Sequence, residues 1–153
     1  MKKLIIVLFL LLGSFAAMGQ QAVRKELYRS GDLRLNAYYF AESEEYLFML
    51  HASFSTEIDL GDGSFDTKVE IFSGNEREAK SFFEALSLFN RNSTDDETAA
   101  LRIGNIIIQR ERSLTGLYNE VVLPDGRFVQ LGKRSSRRLY EAFQKYCESQ
   151  GIN

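Results

Sequence analysis

The chain has one histidine, His51, standing in the string His51-Ala52-Ser53-Phe54-Ser55 with Glu57 and Asp59 close behind. Serine, histidine and carboxylate are the parts of a hydrolase. Their spacing argues against joint action, because side chains at i and i+2 on one strand stand roughly 7 Å apart, beyond a direct hydrogen bond. We therefore assign no catalytic residue and expect no enzyme. A hydrolase using His51 is the weakest alternative.

Metal chemistry has little to work with. One histidine and one cysteine cannot assemble a zinc site of the familiar kind. Asp59-Leu60-Gly61-Asp62-Gly63 with Asp66 gathers three carboxylates at a glycine turn, a donor set suited to calcium. It lacks the spacing and closing glutamate of an EF-hand loop, and Asp-Gly is the usual hairpin dipeptide. Gly61-x-Gly63 has neither the third glycine nor the following helix of a phosphate cradle. No metal and no cofactor is expected. Cys147, the single thiol, cannot form an intramolecular disulfide and reads as a small hydrophobe in the last helix.

Two features point instead to binding. Lys133, Arg134, Arg137 and Arg138 crowd the start of the last expected helix. The helix dipole opposes cations there by about 0.3–1 kcal/mol each at low salt. Such a cluster either meets an anionic partner or reaches acids such as Glu120, Glu141 or the Glu42–Glu45 turn. The second feature is a surplus of aromatic side chains, 12 Phe and 7 Tyr. If Tyr38, Phe40, Leu47 and Met49 face outward together, they form a patch that a monomer rarely leaves bare.

The elements that must position these residues follow from periodicity. Arg24 to Arg29 reads as a short first strand and Gly31-Asp32 as a turn. Leu33 to Tyr39 alternates, with Leu33, Leu35, Ala37 and Tyr39 on one face. Tyr46 to Phe54 is apolar on both faces in its first half, as in a central strand. After the Asp-Gly turn, residues 66–72 place Thr67, Val69 and Ile71 inward and Asp66, Lys68 and Glu70 outward. The period then changes. Asn75 stands three before Glu78, a capping-box-like start, and Ala79, Phe82, Phe83, Leu86 and Phe89 form one helical stripe. Asn90 to Glu97 is polar and breaks the helix. Ile103 to Arg110 and Leu117 to Leu123 are further strands, and Pro124-Asp125-Gly126 turns into a last strand, Phe128 to Leu131. Ser135 or Ser136 caps a helix that buries Leu139, Phe143, Tyr146 and Cys147.

The two halves match in part. Leu60-Gly61-Asp62-Gly63-Ser64-Phe65 parallels Leu123-Pro124-Asp125-Gly126-Arg127-Phe128, and Phe83-Glu84-Ala85-Leu86-Ser87-Leu88-Phe89 parallels Tyr140-Glu141-Ala142-Phe143-Gln144-Lys145-Tyr146. Each half would be an antiparallel meander followed by a helix, whether by duplication or because any strand–Asp-Gly–strand–helix unit yields such likeness. Tandem units of this kind resemble the architecture of the secreted β-lactamase-inhibitory proteins. The resemblance is one of fold, with no shared motif, and transfers no function.

The N-terminus sets the location. Met1-Lys2-Lys3, the apolar run from Leu4 to Leu12 and the small residues ending Ala17-Met18-Gly19 have the order of a secretory signal peptide, residues 1–19. As an anchor the stretch from 4 to 18 would reach only about 22 Å, short of the ~30 Å hydrocarbon core. No transmembrane segment is expected in the mature chain, residues 20–153, which would be one periplasmic or secreted domain. Losing Lys2 and Lys3 takes 19 basic residues to 17 against 21 acidic, a formal −4, which disfavours nucleic acid as a partner.

The sequence thus predicts an α+β fold, an antiparallel sheet of six or seven strands with two helices packed on one face. Its function reads as a non-enzymatic binding module that recognises a protein or peptide, or a second copy of itself. The proposed contacts are Tyr38, Phe40, Leu47, Met49 and His51, with Arg134, Arg137 and Arg138 as a charged rim. The alternative is a carbohydrate or anionic-ligand binder, using Tyr and Arg side chains in a cleft between helix and sheet.

Overall fold

A computed structural model describes residues 22–59, 65–91, 100–114 and 116–152 of the chain. Four strands come first: β1 (Ala22–Ser30), β2 (Leu33–Phe40), β3 (Glu45–Asp59) and β4 (Phe65–Gly74). Helix α1 (Glu76–Arg91) follows. Four more strands, β5 (Ala100–Ile103), β6 (Ile106–Ser113), β7 (Gly116–Val122) and β8 (Phe128–Gly132), lead into α2 (Lys133–Gln150). Each set of four forms its own antiparallel meander, ordered β1-β2-β3-β4 and β5-β6-β7-β8. The α+β class and the meander-plus-helix halves are as the sequence indicates. The strands divide between two sheets where one sheet was expected.

The extra strand arises within the apolar run after Ala100. Gly104, at φ +56°, and Asn105 make a two-residue turn, so residues 100–113 form the hairpin β5–β6. Gly-Asn suits the positive φ such turns require. The strong apolar signal of Ile106-Ile107-Ile108 hides it.

Helix α1 begins as its sequence dictates. The Glu78 amide donates to Asn75 Oδ1 at 3.0 Å, and the Asn75 amide donates to Glu78 Oε2 at 2.9 Å. This reciprocal capping box satisfies two otherwise orphaned donors. Gly74, just before it, leaves no room for a side chain, since a Cβ there would meet the Phe72 ring and Glu78 at under 3 Å. Helix α2 starts earlier than its serines suggest, with Gly132 as N-cap and no side-chain cap. Ser136 is instead fully buried, where Asn119 Nδ2 donates to its Oγ at 3.0 Å. Satisfying the buried Asn119 amide takes precedence over capping. At the other end Gly151, at φ +69°, closes the helix in the left-handed conformation, with the Ile152 amide donating to Cys147 O.

One core joins both halves. Leu35, Phe48 and Leu50 of the first sheet, Ile108 and Val121 of the second, and Phe82, Phe83, Leu86 and Leu139 of the helices are all fully buried within it. Phe143 of α2 meets Phe48 edge-on at 5.0 Å between centroids and stacks on Phe83 at 4.9 Å. Phe72 stacks on Phe82 at 4.5 Å. These rings contribute offset and edge-to-face contacts beyond their buried area. The helices therefore lie against one face of the first sheet, and its other face points away from them.

In β4 Val69 and Ile71 are buried as the alternation expects, and Phe72 joins them. The register steps between Leu50↔Phe72 and His51↔Glu70, so Ile71 is an extra residue, and Ile71 and Phe72 are both buried. A bulge re-aims the side chains beyond it. Lys68 and Glu70 face outward as the alternation requires.

Candidate functional site

The outer face of the first sheet is assembled by register. On β2 and β3 the pairs Leu33↔Ala52, Leu35↔Leu50, Ala37↔Phe48 and Tyr39↔Tyr46 point to the helices. The intervening pairs, Arg34↔His51, Asn36↔Met49, Tyr38↔Leu47 and Phe40↔Glu45, point outward. Strand β1 adds Arg24 beside Tyr38 and Glu26 beside Asn36, and β4 adds Glu70 beside His51 and Lys68 beside Ser53. Five sequence-predicted residues, Tyr38, Phe40, Leu47, Met49 and His51, thus share one face. Tyr38, Phe40, Leu47 and Met49 are half-buried, and His51 is only 6% exposed.

Asn36 was not singled out by sequence reasoning, yet it sits at the middle of this face and is fully buried. Arg24 Nε donates to its Oδ1 at 3.0 Å. Among the described residues its Nδ2 has no hydrogen-bond partner, and neither has His51 Nδ1. A carboxamide between the inward-facing Leu35 and Ala37 was the available signal, because a polar residue amid a buried strand run needs a partner. Around this pair, Arg29 holds Glu26 through two bonds at 2.9 and 3.1 Å, and Arg34 Nε lies 3.9 Å from the same carboxylate. The Arg29 hydrogen bond holds the Glu26 carboxyl below its ordinary range. Burial holds His51 below its ordinary value, helped by the positive charges of Lys68, Arg24 and Arg34 and opposed by Glu26. The imidazole is therefore neutral near pH 7.

The basic residues lie elsewhere. Lys133, Arg134, Arg137 and Arg138 are exposed on the first turns of α2, which directly follows β8 in the second half. Its C-terminal half reaches the first sheet, where Phe143 meets Phe48, the Tyr46 and Tyr146 rings meet at 6.1 Å and Lys25 lies over Tyr146. Arg134, Arg137 and Arg138 are therefore not brought together with the five strand residues. Of the acids expected to answer them, Glu141 lies 3.6 Å from Arg137, both well exposed, while Glu120 accepts from Gln109 at 2.8 Å.

The other chemical candidates divide by what the structure describes. The Asp59–Asp66 turn, with Gly61 and Gly63, lies largely outside the described residues, as do the side chains of Ser55, Glu57 and Asp59. Among the described residues, no group of three His, Cys, Asp or Glu side chains is placed to hold a metal. Cys147 is buried, and burial pushes its thiol up to about 11, so it is inert as a nucleophile near neutral pH. It lines a cleft of about 540 Å³ between the helices, with Arg77, Lys80, Glu84, Tyr140 and Ile152. No described helix is long and apolar enough to cross a membrane.

The fold and this face define an α+β protein with a mixed apolar and polar sheet surface. No family model, no curated protein and no solved structure matches the chain.

Proposed function

We propose that this chain is an exported, non-enzymatic binding module that takes a protein or peptide partner on the outer face of its first sheet. One observation carries the reading. Four half-buried apolar side chains, Tyr38, Phe40, Leu47 and Met49, share that face with two buried polar atoms that lack partners among the described residues, Asn36 Nδ2 and His51 Nδ1. Apolar cover around a few polar groups is the composition of an interface core. A buried polar group left unpaired costs roughly 1–3 kcal/mol, which a partner's complementary group would offset. The carbohydrate or anionic-ligand alternative draws less support. The cleft between α1 and the first sheet brings together one tyrosine, Tyr46, and one arginine, Arg77, among Glu44, Glu45 and Glu76, and Arg134, Arg137 and Arg138 are not among its lining residues.

Site-specific photo-cross-linking tests this. A photoreactive residue at Met49 should join the chain to a polypeptide, another protein or a second copy, in the envelope of expressing cells. The same group at Gln130, exposed on β8, should not. Equal cross-linking from both positions, or none from Met49, would overturn the reading.

A further inference from the structure

We infer that Asn36 and His51 form the floor of a carboxylate-binding site on this face, which receives an aspartate or glutamate side chain from the partner polypeptide while neighbouring apolar residues of that partner cover Tyr38, Leu47 and Met49. The inference rests on the proposed binding face and adds the chemistry of what it recognises.

Arginine only donates, so the Arg24 Nε bond identifies the accepting end of Asn36 as Oδ1. The amide cannot be turned over without losing that bond. What is left over is Nδ2, a donor, fully buried and without an acceptor among the described residues. His51 is diagonal to it across the β2–β3 pair, since Asn36 faces Met49 and Arg34 faces His51. His51 Nδ1 is likewise without a partner among the described residues, and the proposed site takes the neutral tautomer with its single N–H at Nδ1, which makes it a second donor on the same face. Two donors call for an acceptor, and a carboxylate accepts without donating.

The charges around the pair favour an anion over a neutral carbonyl. Arg24 on β1, Arg34 on β2 and Lys68 on β4 all bear on the ring. Two carboxylates face it from the flanking strands, Glu26 on β1 and Glu70 on β4. Glu26 is already engaged by Arg29 and Arg34, and Glu70 is exposed. Both unpaired atoms are shielded from solvent, so entry requires the cover to part. Met49, directly across from Asn36, is unbranched and can swing aside without moving the strand.

The test is selection of random 12-residue peptides, displayed at the N-terminus of a coat protein so that no free C-terminal carboxylate is present, against the full chain. Peptides carrying Asp or Glu beside apolar residues should be enriched. As synthetic, C-terminally amidated peptides they should bind about tenfold or more weakly when the acid is replaced by its amide. Asn36→Asp puts an oxygen where the donor stood, keeps an acceptor for Arg24, and should abolish the preference for the acid. His51→Gln is the second variant, and thermal melts establish that each is folded. Enriched peptides that depend on Leu47 and Met49 but contain no acid would overturn the carboxylate site and leave the binding face standing. Peptides indifferent to Leu47→Glu, or no enrichment at all, would overturn both.

Discussion

Arg24 Nε donates to Asn36 Oδ1 at 3.0 Å across the β1–β2 pair, and this one bond decides which end of a fully buried carboxamide is left without a partner. Removing the carboxamide then removes a liability of the isolated fold. Asn36→Leu, close in shape, should leave stability unchanged or raise it by up to about 1 kcal/mol in urea denaturation, while peptide binding is lost. Arg24 is exposed and regains water. A fall of more than about 2 kcal/mol would show that Asn36 serves the fold and not a ligand.

The His51 ring gives the face a pH signature. Its value in the folded chain lies below the ordinary 6.5, so below that point the unfolded state binds the proton more readily. Stability conferred by the neutral ring is complete above about 6.5 and is lost as pH falls toward the folded-state value. Denaturation midpoints measured from pH 7.5 downward should fall in that window for the native chain more steeply than for His51→Gln. Identical slopes would contradict the burial of a neutral imidazole.

The capping box of α1 is testable by itself. Asn75→Ala removes the acceptor of the Glu78 amide and should cost about 1 kcal/mol in denaturant titration. A loss under about 0.3 kcal/mol would mean that solvent serves the amide equally well.

Phe143 ties the halves together through Phe48 and Phe83. Phe143→Ala should cost about 3–5 kcal/mol. If the shared core makes one cooperative unit, circular dichroism and tyrosine fluorescence should report a single coincident transition for the native chain and the variant alike. Two separated transitions would show that each meander-plus-helix half folds alone.

Much of this architecture is legible in the residue pattern. Alternation in Leu33 to Tyr39 and the stripe Ala79, Phe82, Phe83 and Leu86 locate their elements because burial on one face leaves a period in the sequence. The outward grouping of Tyr38, Leu47 and Met49 follows from the same parity once β2 and β3 are paired. Other features leave no period to read. Gly104-Asn105 is a turn concealed by isoleucines on its far side. The bulge at Ile71 adds one residue and breaks the parity beyond it. Ser136 looks like a cap, but Asn119, seventeen residues earlier in the chain, draws it inward. Asn36 escaped notice for a related reason. Its burial depends on strands β1 and β3 lying on either side, and its missing partner is visible only when every neighbour is in place.

The central claim is that a polypeptide covers the outer face of the first sheet. Hydroxyl-radical footprinting measures this on the side chains themselves. Met49 and Tyr38 should be oxidised readily in the purified chain and protected several-fold in the envelope of expressing cells, while Phe128, 57% exposed on β8, is modified alike in both. Equal oxidation of Met49 and Tyr38 in the two settings would contradict the account.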